Sequence, residues 1–462
     1  MAVGQWTGRN DSSPPWCGLI STDIQLETPI MSSTPATLLK STIVFRTTTV
    51  AWAMLILLSA APARAQLRSD TPRLEKVNDH VYCATGDSVV VVDTSESPVT
   101  AAATLKDFRA ICDKPIRYLI YTHFHGDHCN GARAFAADKP KIIAQKLHAP
   151  EMAEYQRLMG YNRRLNALQF GANLPADQRG ITVAREATQL VIGYMPPQFT
   201  FDTEHRFSDG GIDFEIYHAP GETNDQSFVW LPGLKTLLPA DLFYASFPML
   251  ASPMKPNRPI LTWAESVERM AKLGAEHLVP SHGEPLHGVD NIRDTLTNYA
   301  AAIRYVHDAT VAGLNRGTSL EEIRRTVKLP ERLAKLSYLQ PLYGQVAWGV
   351  NGVYRGYTGW YDMRPAHLNP GPRSELNAAI VEAAGGVDKL VARATQARDA
   401  RNWQLVVELT DITLSVDAED AASHELRAAA LEQLAATSTN GVERNIYRAG
   451  AQDSRQKLAG EQ

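Results

Sequence analysis

The sequence predicts an α/β domain with a two-layered β core and helices outside it, followed by an all-α half. Three observations carry this. Runs of β-branched residues stop at Asp93 and Thr122, a second group of short strands lies between residues 200 and 238, and beyond about residue 290 the apolar spacing becomes helical. With 462 residues, 44% of them apolar and 21% charged, the chain can bury two cores.

Ahead of the first strand, Lys40 and Arg46 precede an uncharged, largely apolar run over residues 47–60, and Ala63-Arg64-Ala65 fits a small-x-small cleavage site. The run is short for a bilayer span, which needs about 20 residues. Residues 31–65 are therefore read as a cleaved signal peptide, with Gln66 as the first mature residue and a periplasmic or secreted location. Residues 1–30 read as an unstructured upstream extension, with Met31 as the start.

Residues 81–83 and 88–93 read as strands, followed by a helix through Phe108 and a strand over 116–121. The apolar character of these runs is nearly continuous, as in strands buried on both faces. A helix is expected over 149–168. Strands follow over 200–202, 212–217, 227–230 and 236–238, each bounded by Gly, Pro or Asp.

Past residue 290 the pattern predicts a helix over 292–313 and a capping box at Thr318 with Glu321 three residues on. Apolar periodicity predicts further helices over 376–384, 390–397, 403–414 and 426–434. No repeat is regular enough for a solenoid. This gives an α/β domain over residues 66–290 and a helical domain over 291–462.

The formal net charge is −4 and no run of Lys and Arg stands out, so the electrostatic footprint of sequence-independent nucleic-acid binding is missing. Beyond Cys17, the cysteines Cys83, Cys112 and Cys129 form no CxxC pair and no legible disulfide framework. Cys129 is expected to pack as a small apolar residue.

The chemistry is concentrated in Tyr121-Thr-His-Phe-His-Gly-Asp-His-Cys-Asn-Gly131, which puts three histidines and an aspartate within six residues directly after a buried strand. Packing does not explain that density. Alternate residues His123 and His125 can point the same way from an extended turn, while Asp127 and His128 at the following bend can face a neighbouring ion. Neutral imidazole suits zinc, and a carboxylate adds the charge that holds two cations close together. Asp93, at the end of its strand, reads either as a group that orients a ligand or as an ordinary turn residue.

This His-x-His-x-Asp-His loop resembles the signature of the metallo-β-lactamase superfamily, and the resemblance implies an αββα sandwich holding two zinc ions per chain. It also implies three ligands from distant segments. Asp241, in Leu238-Pro-Ala-Asp241, matches the bridging acid, and His282, in Val279-Pro-Ser-His-Gly283, matches the last histidine. In His218-Ala-Pro-Gly-Glu222-Thr, Glu222 stands where the superfamily usually has a histidine; His218 is its competitor. The remaining His148, His205, His277, His287 and His367 are read as surface or structural.

The C-terminal half narrows the resemblance. Pro341-Leu-Tyr-Gly344, Val353-Tyr-Arg-Gly-Tyr357, Gly359-Trp-Tyr-Asp362, Pro365-Ala-His-Leu-Asn-Pro370 and Glu443-Arg-Asn-Ile-Tyr447-Arg-Ala-Gly450 are similar to the helical dimerisation region of the alkyl sulfatases, or type III sulfatases. In that family a glutamate replaces the third histidine, in agreement with Glu222. The resemblance runs from about Leu74 to Leu458, and does not extend to the sterol-carrier-like domain with which many alkyl sulfatases continue. It implies a homodimer. Where the family grips sulfate through an Arg, this chain has Ser252-Pro-Met-Lys-Pro256 and then Arg258, so Lys255 and Arg258 are the candidate anion contacts. Arg163 and Arg164, ahead of Phe170-Gly171, resemble a family Arg-Arg segment and add Arg164 to the candidates, with a solvated helix face as the alternative.

The expected function is hydrolysis of a sulfate ester, an alkyl sulfate above all, by a metal-bound hydroxide that Asp127 orients. No membrane span and no nucleic acid are expected as partners. Two alternatives stay open: the same metals acting on another ester, a lactone or a β-lactam, and a non-catalytic metal-binding dimer or iron redox protein on the same scaffold.

Overall fold

The computed structural model describes residues 73–76, 82–85, 88–181 and 193–460. The upstream extension, the signal peptide and Cys17 lie outside them. A short antiparallel pair, β1 (Arg73–Lys76) and β2 (Tyr82–Thr85), precedes the main body. Four parallel strands then form one sheet in the order β3 (Val89–Val92), β4 (Ile116–Ile120), β5 (Lys141–Gln145) and β6 (Phe199–Phe201).

The second sheet has six strands. In chain order they are β7 (Glu204–Asp209), β8 (Ile212–His218), β9 (Ser227–Leu231), β10 (Thr236–Leu238), β11 (His277–Leu278) and β12 (Leu286–His287), and their spatial order is the same. All neighbours are antiparallel except β10 and β11.

Period-two side-chain alternation builds the layers. Ile120, Ile143 and Phe201 of the first sheet meet Ile212, Phe214, Ile216, Val229 and Leu231 of the second in one buried cluster. On β9, the intervening Phe228 and Trp230 face the opposite way, into the core beneath the helices. The outer face of the first sheet is covered by helix α1 (Pro98–Ile111), through Ala101 and Phe108 against Leu119 and Ile142. Ser97 caps that helix by accepting from the Thr100 amide at 3.1 Å, and Pro98 opens it, where a missing N–H costs nothing. The result is the αββα sandwich expected.

The strand-end motif forms one turn of helix, α2 (Gly126–Cys129). The helix expected over 149–168 is two, α3 (His148–Arg157) and α4 (Met159–Gln169), broken at Leu158. On the far face of the second sheet lie α5 (Ile260–Ala271) and α6 (Val289–Asn315). Trp263 and Tyr299 on them are fully buried, each worth on the order of 2 kcal/mol of apolar burial. One apolar core runs from Phe170 through Ile303 to Val353 and Val442, so packing is continuous across residue 290.

Next come α7 (Leu320–Thr326), α8 (Glu331–Ala334) and α9 (Val346–Tyr357). The cap of α7 is a correction to the expected capping box: Ser319, not Thr318, accepts from the Glu322 amide at 3.3 Å. Thr318 belongs to the preceding turn, its amide bonded to Gly313 O. Five helices complete the chain: α10 (Arg373–Ala384), α11 (Val387–Asp399), α12 (Trp403–Leu414), α13 (Ala421–Thr437) and α14 (Gly441–Ala459). Among the described residues no helix is long and apolar enough to cross a membrane.

Candidate metal centre

Strands β3 and β4 pair in parallel as far as Val92 and Ile120, so Asp93 and the Thr122–His128 turn leave the sheet together at its carboxyl edge. Open α/β sheets bind ligands at that edge. Asp93 adopts the left-handed conformation, φ 61°, uncommon for a residue with a side chain. There its carboxylate accepts from the Thr122 amide and hydroxyl, both at 2.8 Å, and meets His128 Nδ1 at 2.7 Å. Of the two readings open for Asp93, the geometry is that of a group orienting a ligand: with Nδ1 bonded to the carboxylate, His128 turns Nε2 to the cavity.

Around that nitrogen the chain gathers Asp127 Oδ2 at 3.3 Å and Asp241 Oδ1 at 3.3 Å, while His282 Nε2 lies 3.2 Å from Asp127 Oδ2 and 3.5 Å from Asp241 Oδ1. Four ligand atoms around a tetrahedral zinc at about 2.0–2.1 Å would stand about 3.3 Å apart. Moreover, His128 Nε2, Asp241 Oδ1 and His282 Nε2 are buried and have no hydrogen-bond partner among the described residues. Three orphaned polar atoms aimed at one point fit a cation.

The other oxygen of Asp241 faces a second group. Oδ2 lies 3.9 Å from His123 Nε2, which is 3.0 Å from His125 Nδ1. His123, His125 and Asp241 thus form a second set that could hold an ion, joined to the first through one carboxylate. Glu222 Oε1 lies 3.9 Å from His125 Nδ1. Its Oε2 is engaged by Arg258 at 2.5 Å, both side chains being almost fully buried. His218, the competitor, instead meets Asn224 O through Nε2 at 2.7 Å.

The electrostatics suit a metal-binding cluster. Burial, with His128 for His123 and Lys255 for His125, pulls both imidazoles down, His125 to about 3, so both are the neutral form that binds metal. Burial would also pull His128 and His282 down, but the surrounding carboxylates outweigh it and raise both, His282 to about 9. Asp127 and Asp241 stay below their ordinary range because the imidazoles overcome their burial. A cluster that favours protons on its imidazoles is one in which a metal ion can replace them.

The cavity above the cluster is lined by His125, Asp127, Glu222, Asp241 and His282 together with Lys255 and Arg258. Lys255 Nζ donates to Asn166 Oδ1 at 2.7 Å and forms no ion pair with a described residue. Burial, then Arg258, lowers its pKa to about 8. Arg164 is a correction: it is exposed on α4 and outside the lining, because the helix turns Asn166 inward and its basic face outward. The alternative of a solvated face fits it. Asn166, Tyr155 and Tyr244, which sequence reasoning passed over, line the cavity, as does Tyr343, which the sequence placed in the dimerisation region. A trace of Asn166 exists in the sequence, since Asn166 and Gln169 are polar residues on one inward stripe, three apart.

Glu222 needs the glycine before it. A Cβ on Gly221 would come within 2.5 Å of Leu242 Cδ2 and 3.0 Å of Trp263. Of the histidines read as structural, His148 is wholly buried, bonded to Asp225 at 3.0 Å behind the cluster. Cys129 is buried and unpaired, its thiol directed at the Phe124 and His125 carbonyls.

Comparison with known proteins agrees with this geometry. Residues 73–282 match the metallo-beta-lactamase superfamily and residues 319–457 the alkyl sulfatase dimerisation family. A linear primary-alkylsulfatase from Pseudomonas sp. (strain ATCC 19151) is 30% identical over 398 residues, covering 81% of this chain and 74% of the relative. The alkyl/aryl-sulfatase BDS1 of Saccharomyces cerevisiae is 28% identical over 414 residues, covering 83% and 64%. Among solved structures, the stereoselective inverting sec-alkylsulfatase Pisa1 from Pseudomonas sp. superposes with a TM-score of 0.76 at 27% identity, over 86% of this chain and 68% of that one. The chain therefore belongs to the alkyl sulfatase family of the metallo-β-lactamase superfamily and is a metal-dependent hydrolase.

Proposed function

We propose that the protein is a dinuclear zinc hydrolase that cleaves alkyl sulfates to sulfate and an alcohol, and that it acts as an exported homodimer. The observation that carries this reading is the meeting, in one cavity, of two ligand sets sharing Asp241 with an ammonium, Lys255, that has no carboxylate partner among the described residues. Such a cavity suits an anionic ester.

His123, His125 and Asp241, with Glu222 beside them, would hold one ion; Asp127, His128, His282 and Asp241 would hold the other. Zinc bound there lowers the pKa of a water towards neutrality and offsets the negative charge on the group under attack. Asp127, which also lines the cavity, accepts a hydrogen bond from the attacking water and orients it. Lys255 receives the sulfate oxygens as a point charge, without the fixed fork an arginine would offer. Arg258 holds Glu222. For the dimer, support comes from Tyr357, Trp360 and Met363, which are 61%, 76% and 79% exposed in the helical half and would be covered by a second copy.

Sulfate release from dodecyl sulfate tests the activity, run with the protein, its Asp127→Ala variant and a chelated sample, alongside metal analysis. Release lost in both controls, with two zinc per chain, is the expected result. A zinc-replete protein that releases none removes long-chain alkyl sulfates and directs attention to lactones and β-lactams. A monomeric mass at micromolar concentration sinks the dimer.

A further inference from the structure

The two cations of the cavity are treated oppositely by the fold. Arg258 is neutralised: its guanidinium meets Glu222 at 2.5 Å, donates to Met249 O at 2.7 Å and stacks over Trp263. Among the described residues the one hydrogen-bond partner of Lys255 is uncharged, and the Asp127 and Glu222 carboxylates act on it without forming an ion pair. Its ammonium donates to Asn166 Oδ1 at 2.7 Å, while Asn166 Nδ2 donates to Tyr155 OH at 3.1 Å, so the carboxamide is fixed with its oxygen towards the lysine.

The scaffold behind this pair is rigid. Gln169, one turn along α4 and 1% exposed, accepts from Ser252 Oγ at 3.0 Å, on the same loop as Lys255. It donates to Tyr343 OH at 3.2 Å, and its carbonyl accepts from Asn445 of α14 at 2.9 Å. Lysine loop, α4, the bend ahead of α9 and α14 are thereby locked in one arrangement, and Asn166 meets Lys255 without a choice of register.

An aspartate at position 166 would have nearly the same shape and the same hydrogen bond, but would form a buried ion pair and cancel the charge of Lys255. Resting on the sulfate-ester reading above, we propose that Asn166 is a specificity-determining residue: its uncharged oxygen aims the Lys255 ammonium into the cavity and leaves that charge free for the anionic head group. Both residues line the cavity, and Asn166 is itself 4% exposed, so the choice between carboxamide and carboxylate is felt at low dielectric.

The test uses the zinc-loaded full chain with dodecyl sulfate as substrate and inorganic sulfate as the probe in calorimetry. Asn166→Asp is expected to raise KM and weaken sulfate binding by about tenfold or more, with kcat within about threefold and zinc content unchanged. Asn166→Ala, which removes the aim and keeps the charge, is expected to fall between Asn166→Asp and the parent. Lys255→Met should reproduce the loss in Asn166→Asp, and keeps the test decisive should Asn166→Asp not fold. Parental KM and sulfate affinity in either Asn166→Asp or Lys255→Met overturn the proposal, as does an Asn166→Ala variant as impaired as Asn166→Asp. A parent protein that neither hydrolyses dodecyl sulfate nor binds sulfate strikes the underlying reading instead, and the inference with it.

Discussion

The two halves of the metal centre are built differently. Around His128 the ligand atoms stand 3.2–3.5 Å apart and the imidazole is fixed from behind by Asp93. Around His123 the separations range from 3.0 to 3.9 Å, and the acid beside them is held by a cation of the protein itself, Arg258. The first half is already shaped for an ion. The second gathers its ligands with Glu222 drawn aside, so loading it must loosen or redirect a buried ion pair. Burial raises Glu222 to about 7 despite Arg258, a carboxylate in need of a positive partner.

The largest effect that could break this comparison is at the residue both halves share. Asp241→Ala removes a ligand from each set, and hydrolysis should fall on the order of a thousandfold, about 4 kcal/mol of transition-state stabilisation. Metal analysis should show both ions lost; retention of two ions would mean that Asp241 does not bridge.

Arg258→Met comes next. It leaves Glu222 buried without its partner, which costs roughly 3–5 kcal/mol for a buried pair. The cost should be larger in the metal-free protein than in the zinc-loaded one, because the ion supplies a replacement charge. Equal losses in the two states, measured by denaturant unfolding, would place Glu222 outside the metal's reach.

Asp93→Asn sharpens the contrast, since Asp93 bonds His128 directly and reaches His123 only through the Thr122 hydroxyl, 2.8 Å from Asp93 Oδ2 and 3.1 Å from His123 Nδ1. Zinc affinity of the His128 half should fall about 10- to 100-fold by competition with a chelator, and that of the His123 half by less. A uniform fall at both sites would erase the distinction.

The smallest effect concerns pH. Lys255 is charged below about 8, where burial has brought it from its ordinary value near 10.5. KM for an alkyl sulfate should therefore stay level at lower pH and climb as pH passes about 8, by up to tenfold per unit. Lys255→Arg should abolish the climb, because its guanidinium stays charged.

The contrast between halves also marks what a sequence can carry. The cluster from His123 to His128 is legible because its spacing alone encodes it: a strand, a turn, and ligands that share it. Asp241, His282 and Glu222 became legible only through resemblance. Polar edge strand β7 was missed because its exposed residues give no apolar alternation, and the cap of α7 was displaced by one residue because Thr318 closes the preceding turn.

By itself, the sequence determined the sandwich, the helical half and the local metal motif, since each is written as periodicity or short spacing. Only the tertiary structure decided that Arg258 neutralises Glu222, that Lys255 meets Asn166 instead of a carboxylate, and that Arg164 faces solvent. Those pairings join residues far apart in the chain, up to Gln169 and Asn445. Their partners are chosen by packing, which leaves no period in the sequence to read.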